Sequence, residues 1–353
     1  MFKRFFGGPK KTHTVHIEPF GVTLELGPRE TVLMAALKAG LPFPFECQVG
    51  SCTSCKSRLL EGEIKPLTDF AYVLDMDDIK EGYILACQSL AKTDLKIRVE
   101  SIEDGAVPLP VVSTEGTVSG VRNLTHDIFE VRITLDASFD YRAGQYANLK
   151  VPGVEEHRSY SFAAAPTPGG TRELVFHIRL VPGGEVSSWL SGGDVTGDRV
   201  SVDGPHGMFW LRDSDAPILC VAGGSGMAPI KAILEQAGSD RSPRQVRYLF
   251  GARTQADLYG GDEMTALGDN WAGDFSFTQV LSEEPEGSGW AGAQGFVTDL
   301  INQQDGLELS ACHAYLCGPP AMIDAAIPVL KEAGVHSRNI HFDKFTDRSH
   351  TNG

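Results

Sequence analysis

Cys47, Cys52 and Cys55 stand as C-x4-C-x2-C, and Cys87 follows at a distance. This is the spacing by which four thiolates hold a [2Fe-2S] cluster. Bridging sulfides leave each iron two protein ligands, so three thiolates on one tight loop and a fourth from a returning segment complete both tetrahedra. The loop carries Gly50 among the small polar Ser51, Thr53 and Ser54, which lets backbone N–H groups approach and point at sulfur. Zinc is the alternative, because C-x2-C pairs are common zinc ligands. Zinc ribbons usually bring a second such pair, and Cys87 stands alone, so the cluster is favoured.

At 353 residues and 42% hydrophobic, the chain is long enough for two or three domains with their own cores. No window approaches the apolar length of a membrane-spanning helix, and the chain reads as soluble. The opening Met1-Phe2-Lys3-Arg4-Phe5-Phe6 is basic and aromatic, but Gly7-Gly8-Pro9 cuts short the apolar core of a secretory signal. It reads as a frayed terminus, with peripheral contact to a membrane surface as the alternative. Of seven cysteines, four go to metal and an odd number remains, which argues against a disulfide framework and for the reducing cytoplasm. A net charge of -15 speaks against nucleic acid as a partner, because that affinity comes from cations neutralising phosphates.

Three patterns follow one another along the chain. Thr14–Glu18 and Val22–Leu26 alternate apolar and polar around Phe20-Gly21 and predict a hairpin. Glu30–Ala39 places Leu33, Ala36 and Leu37 on one helical stripe ended by Gly40. Tyr83–Cys87 reads as a strand delivering the last thiolate, and Leu95–Val99 as the strand that closes the sheet. Ser101–Pro110, with two prolines and no periodicity, reads as a linker. Short alternating runs at 128–135, 146–151 and 173–180 then predict a small β-barrel. From Ala216 the rhythm turns to buried strands separated by helices, at 217–222, 246–250, 275–280 and 313–317. That is an open parallel α/β sheet.

The cysteine-bearing segment resembles plant-type ferredoxin throughout, which implies a β-grasp domain. Arg158-Ser159-Tyr160-Ser161, followed by Gly183-Gly184-Glu185-Val186-Ser187, resembles the flavin domain of the ferredoxin-NADP reductase family, with its R-x-Y-[ST] and G-x-x-S motifs. The resemblance implies a six-stranded antiparallel FAD-binding barrel. In it Arg158 pairs a phosphate, Tyr160 stacks on the isoalloxazine and Ser161 puts a hydroxyl near the flavin N5. Ser159 belongs to the same motif. N–H groups from Gly184, Val186 and Ser187, behind the Gly183 turn, hold the pyrophosphate, which favours FAD over FMN. His177 is placed near the dinucleotide.

Gly223-Gly224-Ser225-Gly226-Met227-Ala228-Pro229 follows a buried strand and opens a helix, where glycines admit a dinucleotide phosphate. Pro229 replaces the third glycine of G-x-G-x-x-G but matches the reductase family's G-G-[ST]-G-x-x-P. Cys317-Gly318-Pro319-Pro320 resembles the family's C-G-P-P, which flanks the nicotinamide. In Ile340–Phe345 the resemblance implies a carboxylate near the hydride path, assigned to Asp343, and an aromatic cover, assigned to Phe345 with Phe342 as the alternative. An eight-residue polar tail departs from the family's closing strand. Arg253 is the cation available to a 2′-phosphate, but Asp257, Asp262 and Glu263 follow it, so NADH is expected over NADPH.

The expected organisation is multidomain, combining α+β, β and α/β parts. Residues 1–103 form the ferredoxin domain, 104–112 a linker, 113–212 the FAD barrel and 213–353 a Rossmann-like nicotinamide domain with a flavin-covering end. In this order the blocks resemble the reductase components of bacterial multicomponent oxygenases, such as those of aromatic hydrocarbon catabolism. That resemblance implies electron flow from NADH through FAD to the cluster and on to an oxygenase or hydroxylase component docking near the cluster loop. Lys56, Arg58 and the acidic stretch from Asp75 to Glu81 are expected to shape that face. The rival acceptor is a deoxysugar dehydrase.

Overall fold

The structure is a computed structural model that describes residues 12–41, 43–45, 49–50, 53–74, 76–99 and 109–345. The chain divides into two compact units, Met1–Pro110 and Val111–Gly353.

In the first unit β1 (His13–Glu18) and β2 (Val22–Leu26) form the expected hairpin. Helix α1 (Val32–Lys38) starts where the Thr31 hydroxyl accepts from the Met34 N–H, and it buries Val32, Leu33, Ala35 and Ala36. Then come β3 (Lys56–Glu61), β4 (Ile64–Pro66), α2 (Met76–Lys80), β5 (Tyr83–Leu85), β6 (Ser89–Ala91) and β7 (Leu95–Arg98). The main sheet runs β2-β1-β7-β3-β5, with β1 and β7 parallel and the other pairs antiparallel. Two expectations need correction. The last strand does not close the sheet but lies at its centre, where Leu95 and Ile97 are buried, because alternation fixes which face is buried and not the order of strands. Nor is Cys87 on a strand: β5 ends at Leu85, and Ala86–Gln88 turn in a 3-10 conformation. Of the expected linker 104–112, residues 104–108 lie outside the described residues, and Val112 already begins the next strand.

The second unit opens with six antiparallel strands, β8 (Val112–Asn123), β9 (Ile128–Phe139), β10 (Tyr146–Lys150), β11 (Arg158–Ser161), β12 (Thr171–Arg179) and, after helix α3 (Glu185–Ser191), β13 (Arg199–His206). Their order is β11-β10-β13-β8-β9-β12. A bridge between Phe162 and Phe176 and a 2.8 Å bond from Ala163 N to Val175 O join the two edge strands and curl the sheet into a barrel. Phe162 fills that seam, stacked at 3.9 Å on Tyr141 and 5.6 Å from Phe176.

The parallel part comprises β14 (Ile218–Gly223), α4 (Met227–Ser239), β15 (Val246–Ala252), α5 (Gly261–Asp269), β16 (Phe275–Leu281), β17 (Ala293–Gln294), β18 (His313–Gly318), α6 (Pro320–Glu332) and β19 (Ile340–Lys344). The order β17-β16-β15-β14-β18-β19 reverses between β14 and β18, and ligands of open α/β sheets bind at such a switch point, beyond the carboxyl ends of the strands. Helix α4 fastens this sheet to the barrel. Lys231 donates to Ala163 O at 3.2 Å and pairs with Glu235, whose carboxylate accepts from Ala165 N at 3.1 Å. No helix among the described residues is long and apolar enough to cross a membrane.

Candidate electron-transfer site

At the cluster end, Cys47 and Cys52 lie outside the described residues, while Cys55 and Cys87 are both buried. Ala86 N donates to Cys55 O at 3.2 Å, so the turn bearing Cys87 is tied to the loop bearing Cys55. Gly50, at φ +80, presses against Gln88, and a Cβ there would sit 2.7 Å from that side chain. The donor set and this close backbone packing fit a [2Fe-2S] group.

On the barrel, β11 pairs with β10 in a register that sets Ser161 opposite Tyr146 and Arg158 opposite Leu149. Tyr160 is half-buried against the barrel core, and burial pushes its phenol up to about 12. Ser159 is exposed and donates to Asn148 Oδ1 at 2.7 Å. Arg158 Nη2 lies 2.6 Å from Glu185 Oε2 in the first turn of α3, so the expected phosphate-binding arginine and the expected pyrophosphate turn meet. Gly184 caps α3 with no side-chain bond, and Gly183 bends into it at φ +72. First-turn N–H groups therefore remain for an anion. Val186 is buried in the barrel core, and Ser187 Oγ accepts from Val181 N at 2.7 Å. These residues fit an FAD pyrophosphate.

Across the seam, the turn Gly224–Gly226 joins β14 to α4, with Gly224 at φ +56. A Cβ on Gly226 would lie 2.2 Å from Cys317 O, so only glycine lets β18 come this close. Ser225 is half-buried, while Met227 and Pro229 are buried in α4. Gly318, at φ +139, abuts Gly223 O, and Pro319 caps α6. The bare glycine turn fits a dinucleotide phosphate. Cys317 is fully buried in the core cluster that includes Met227 and Tyr259, against which Phe345 packs. Cys317 also pairs in register with Asp343 on β19, and the Ser161 hydroxyl donates to Asp343 Oδ2 at 3.4 Å. Asp343 thus neighbours the barrel strand through its carboxyl group and β18 through its backbone register. Burial raises Asp343 to about 6, and the Ser161 bond pulls the other way. Phe342 packs instead with the cluster on the opposite face of the sheet.

Arg253 is taken up by Asp257 at 2.8 Å. His177 is buried, and desolvation drops its imidazole to about 3. It reaches the glycine turn through Tyr259, whose hydroxyl lies 3.4 Å from His177 Nδ1 and donates to Gly224 O at 3.0 Å. Sequence reasoning missed Tyr259, Glu185 and Arg179. The Arg179 guanidinium would be 3.2 Å from a Cβ at Gly224 and is held by Asp127 at 2.9 Å. One signal was available for Arg179, its position two residues beyond His177 on the same face of a strand.

Residues 15–92 match the 2Fe-2S iron-sulfur cluster binding domain, 115–210 the oxidoreductase FAD-binding domain and 220–327 the oxidoreductase NAD-binding domain. The chain is 40% identical over 350 residues to the xylene/toluene monooxygenase electron transfer component XylA of Pseudomonas putida, covering 99% of this chain and 98% of that protein. The chain belongs to the reductase components of multicomponent oxygenases. It is also 36% identical to the propane 2-monooxygenase reductase component of Mycolicibacterium goodii, over 95% of this chain and 97% of that one. Among solved structures it is similar to the Amycolatopsis cytochrome P450 reductase GcoB, with a TM-score of 0.76 and 33% identity over 95% of this chain and 99% of that one. Like its family, this reductase component is an oxidoreductase of the flavin iron-sulfur type, using [2Fe-2S], FAD and NAD(H).

The raised pKa of Asp343 makes a stability statement. In the unfolded chain its carboxyl ionises near pH ~4, whereas in the fold it stays protonated up to about 6. The stabilisation is therefore complete below pH ~4 and is lost as pH rises through about 6. Asp343→Asn is expected to leave unfolding unchanged at pH ~4 and to stabilise the protein at pH ~8 by up to about 2 kcal/mol, read by urea unfolding at both pH values. Equal effects at the two would refute the assignment.

Proposed function

We propose that this chain draws on NADH and delivers electrons singly to an oxygenase or hydroxylase component. The observation that carries the reading is the Ser161–Asp343 contact, which joins the flavin-type strand to the nicotinamide-type sheet in a polypeptide that also bears the cysteine set. When bound, NADH supplies a hydride, FAD accepts the electron pair and the [2Fe-2S] cluster carries one electron at a time. In this reading Arg158 exchanges Glu185 for a flavin phosphate, and Gly184, Val186 and Ser187 lend N–H groups beside it, with Gly183 shaping the turn. Tyr160 flanks the ring and Ser159 fixes the strand through Asn148. Ser161 and Asp343 hold a proton between Oγ and Oδ2 at the reacting edge. Gly223, Gly224, Ser225 and Gly226 form the dinucleotide cradle, and Met227 and Pro229 lock the helix behind it. Cys317, Gly318 and Pro319 wall the nicotinamide side, Phe345 covers the flavin, and His177 steadies the glycine turn through Tyr259. Cys47, Cys52, Cys55 and Cys87 ligate the cluster, and the boundaries 1–103, 104–112, 113–212 and 213–353 are part of the proposal.

NADH is preferred because Arg253, the cation following β15, is already paired with Asp257 and flanked by further acids. The relatives named above serve oxygenases, which sets the deoxysugar dehydrase aside. We place the protein in the cytoplasm on its cysteine content. For a membrane-held acceptor, Met1–Phe6 is the segment suited to touch lipid, and co-sedimentation of the full chain with anionic vesicles, lost when residues 1–11 are removed, checks it.

The docking face follows from the cluster end. Lys56 pairs with Asp78 at 2.9 Å and sits 4.7 Å above the Tyr83 ring, while Arg58 donates to Glu81 O at 3.1 Å. Reversing both charges, Lys56→Glu with Asp78→Lys, is expected to keep the local pair and raise the half-saturating reductase concentration in oxygenase turnover several-fold. Unaltered delivery would remove this face from the docking surface.

Anaerobically purified protein should show flavin and iron-sulfur absorbance that bleaches with NADH well before equal NADPH. Cys52→Ser is expected to abolish reduction of a one-electron protein acceptor and to spare most flavin-dependent ferricyanide reduction. Loss of both activities together would contradict the division of labour.

A further inference from the structure

One concavity of the ferredoxin unit lies apart from every residue assigned above. It encloses about 160 Å3 between the turn after β2 and the ends of β4 and β6. Leu26, Leu90 and Ala91 line it with apolar surface, and the cations of Arg29, Lys65 and Lys92 surround them beside the His13 ring. The one carboxylate among its lining residues, Glu30, is already committed, accepting from Gly27 N at 2.8 Å and lying 3.8 Å from Lys38. Among the described residues Arg29, Lys65 and Lys92 have no ion-pair partner. Elsewhere in this unit Lys56, Lys80, Lys96 and Arg98 each meet a carboxylate.

The backbone supplies a second, independent observation. Glu30 N donates to Gly27 O at 3.1 Å, closing a turn with Pro28 and Arg29 at its centre. Arg29 has φ 69. Proline followed by positive φ is the type II turn, whose next position belongs to glycine or asparagine. A long β-carbon side chain there costs stability that glycine would spare, and such strain points toward a function for the side chain.

We propose that this hollow binds a carboxylate carried on a small apolar body. The cations take the anion by charge-assisted hydrogen bonds, and the leucines and alanine take the stem. An acidic side chain presented by a docking protein and a free aliphatic or aromatic carboxylate share this chemistry.

Benzoate is the probe, with benzamide as its neutral isostere. Calorimetric titration of the full chain should give one benzoate site in the millimolar range that weakens with salt, and benzamide should bind at least about tenfold more weakly. Lys65→Gln with Lys92→Gln should weaken benzoate by a similar factor. Arg29→Gly should also weaken it while raising the thermal midpoint of the ferredoxin unit, so that lost binding is not lost folding. Equal affinity for benzoate and benzamide, or benzoate binding that survives these substitutions, overturns the proposal. In oxygenase-coupled turnover, competitive inhibition by benzoate that disappears in the double variant assigns the occupant to the acceptor protein. Undiminished coupling assigns it to a free carboxylate. Because the titration needs no acceptor, it can fail without touching the electron-transfer reading.

Discussion

No side chain fits between the Gly224–Gly226 turn and the end of β18. The 2.2 Å that would separate a Cβ at Gly226 from Cys317 O is far inside any tolerable contact, so the turn can lie this close to β18 at the switch point only because that position is bare. From this closeness the rest follows. β18 carries Cys317 to the turn, β19 lies beside it in register and sets Asp343 next to Cys317, and Asp343 then reaches Ser161 on the barrel. A small void at one turn thereby aligns residues from opposite ends of the second unit.

Charge is distributed as unevenly as the glycines. Residues 111–353 hold 18 lysines and arginines against 31 acids, and Arg158, Arg179 and Arg253 are each engaged by a carboxylate, from Glu185, Asp127 and Asp257. Such pairs hold a guanidinium in a fixed orientation, and in the proposed reading a flavin phosphate that displaces Glu185 meets an Arg158 already aimed. In the proposed reading Arg253 keeps its partner Asp257 and is thereby withheld from an extra phosphate.

Much of the architecture was legible because its signals are local. The hairpin of β1 and β2, the buried strands of the parallel sheet and the glycine turn of Gly223–Gly226 each declare themselves within a few residues. What was not legible depends on distant partners. The position of β7 in mid-sheet is decided by β1 and β3, and the break of β5 before Cys87 by Ala86 N turning toward Cys55 O. Glu185 and Tyr259 gain meaning only through Arg158 and Gly224, far away in sequence. The strain at Arg29 is hidden for another reason: Pro28 announces a turn, but the sign of the next φ belongs to the backbone and leaves no mark on composition.

Helix α4 begins at the glycine turn and, within its first turns, Lys231 and Glu235 grip the carbonyl of Ala163 and the N–H of Ala165, just past Ser161 in the chain. The helix that starts at the glycine turn is thus bolted beside the strand that carries Ser161. Any hinge that parts the two halves must first shear those bolts, so the spacing between the glycine turn and Ser161 is set by a stiff lever and not by the slack of a loop.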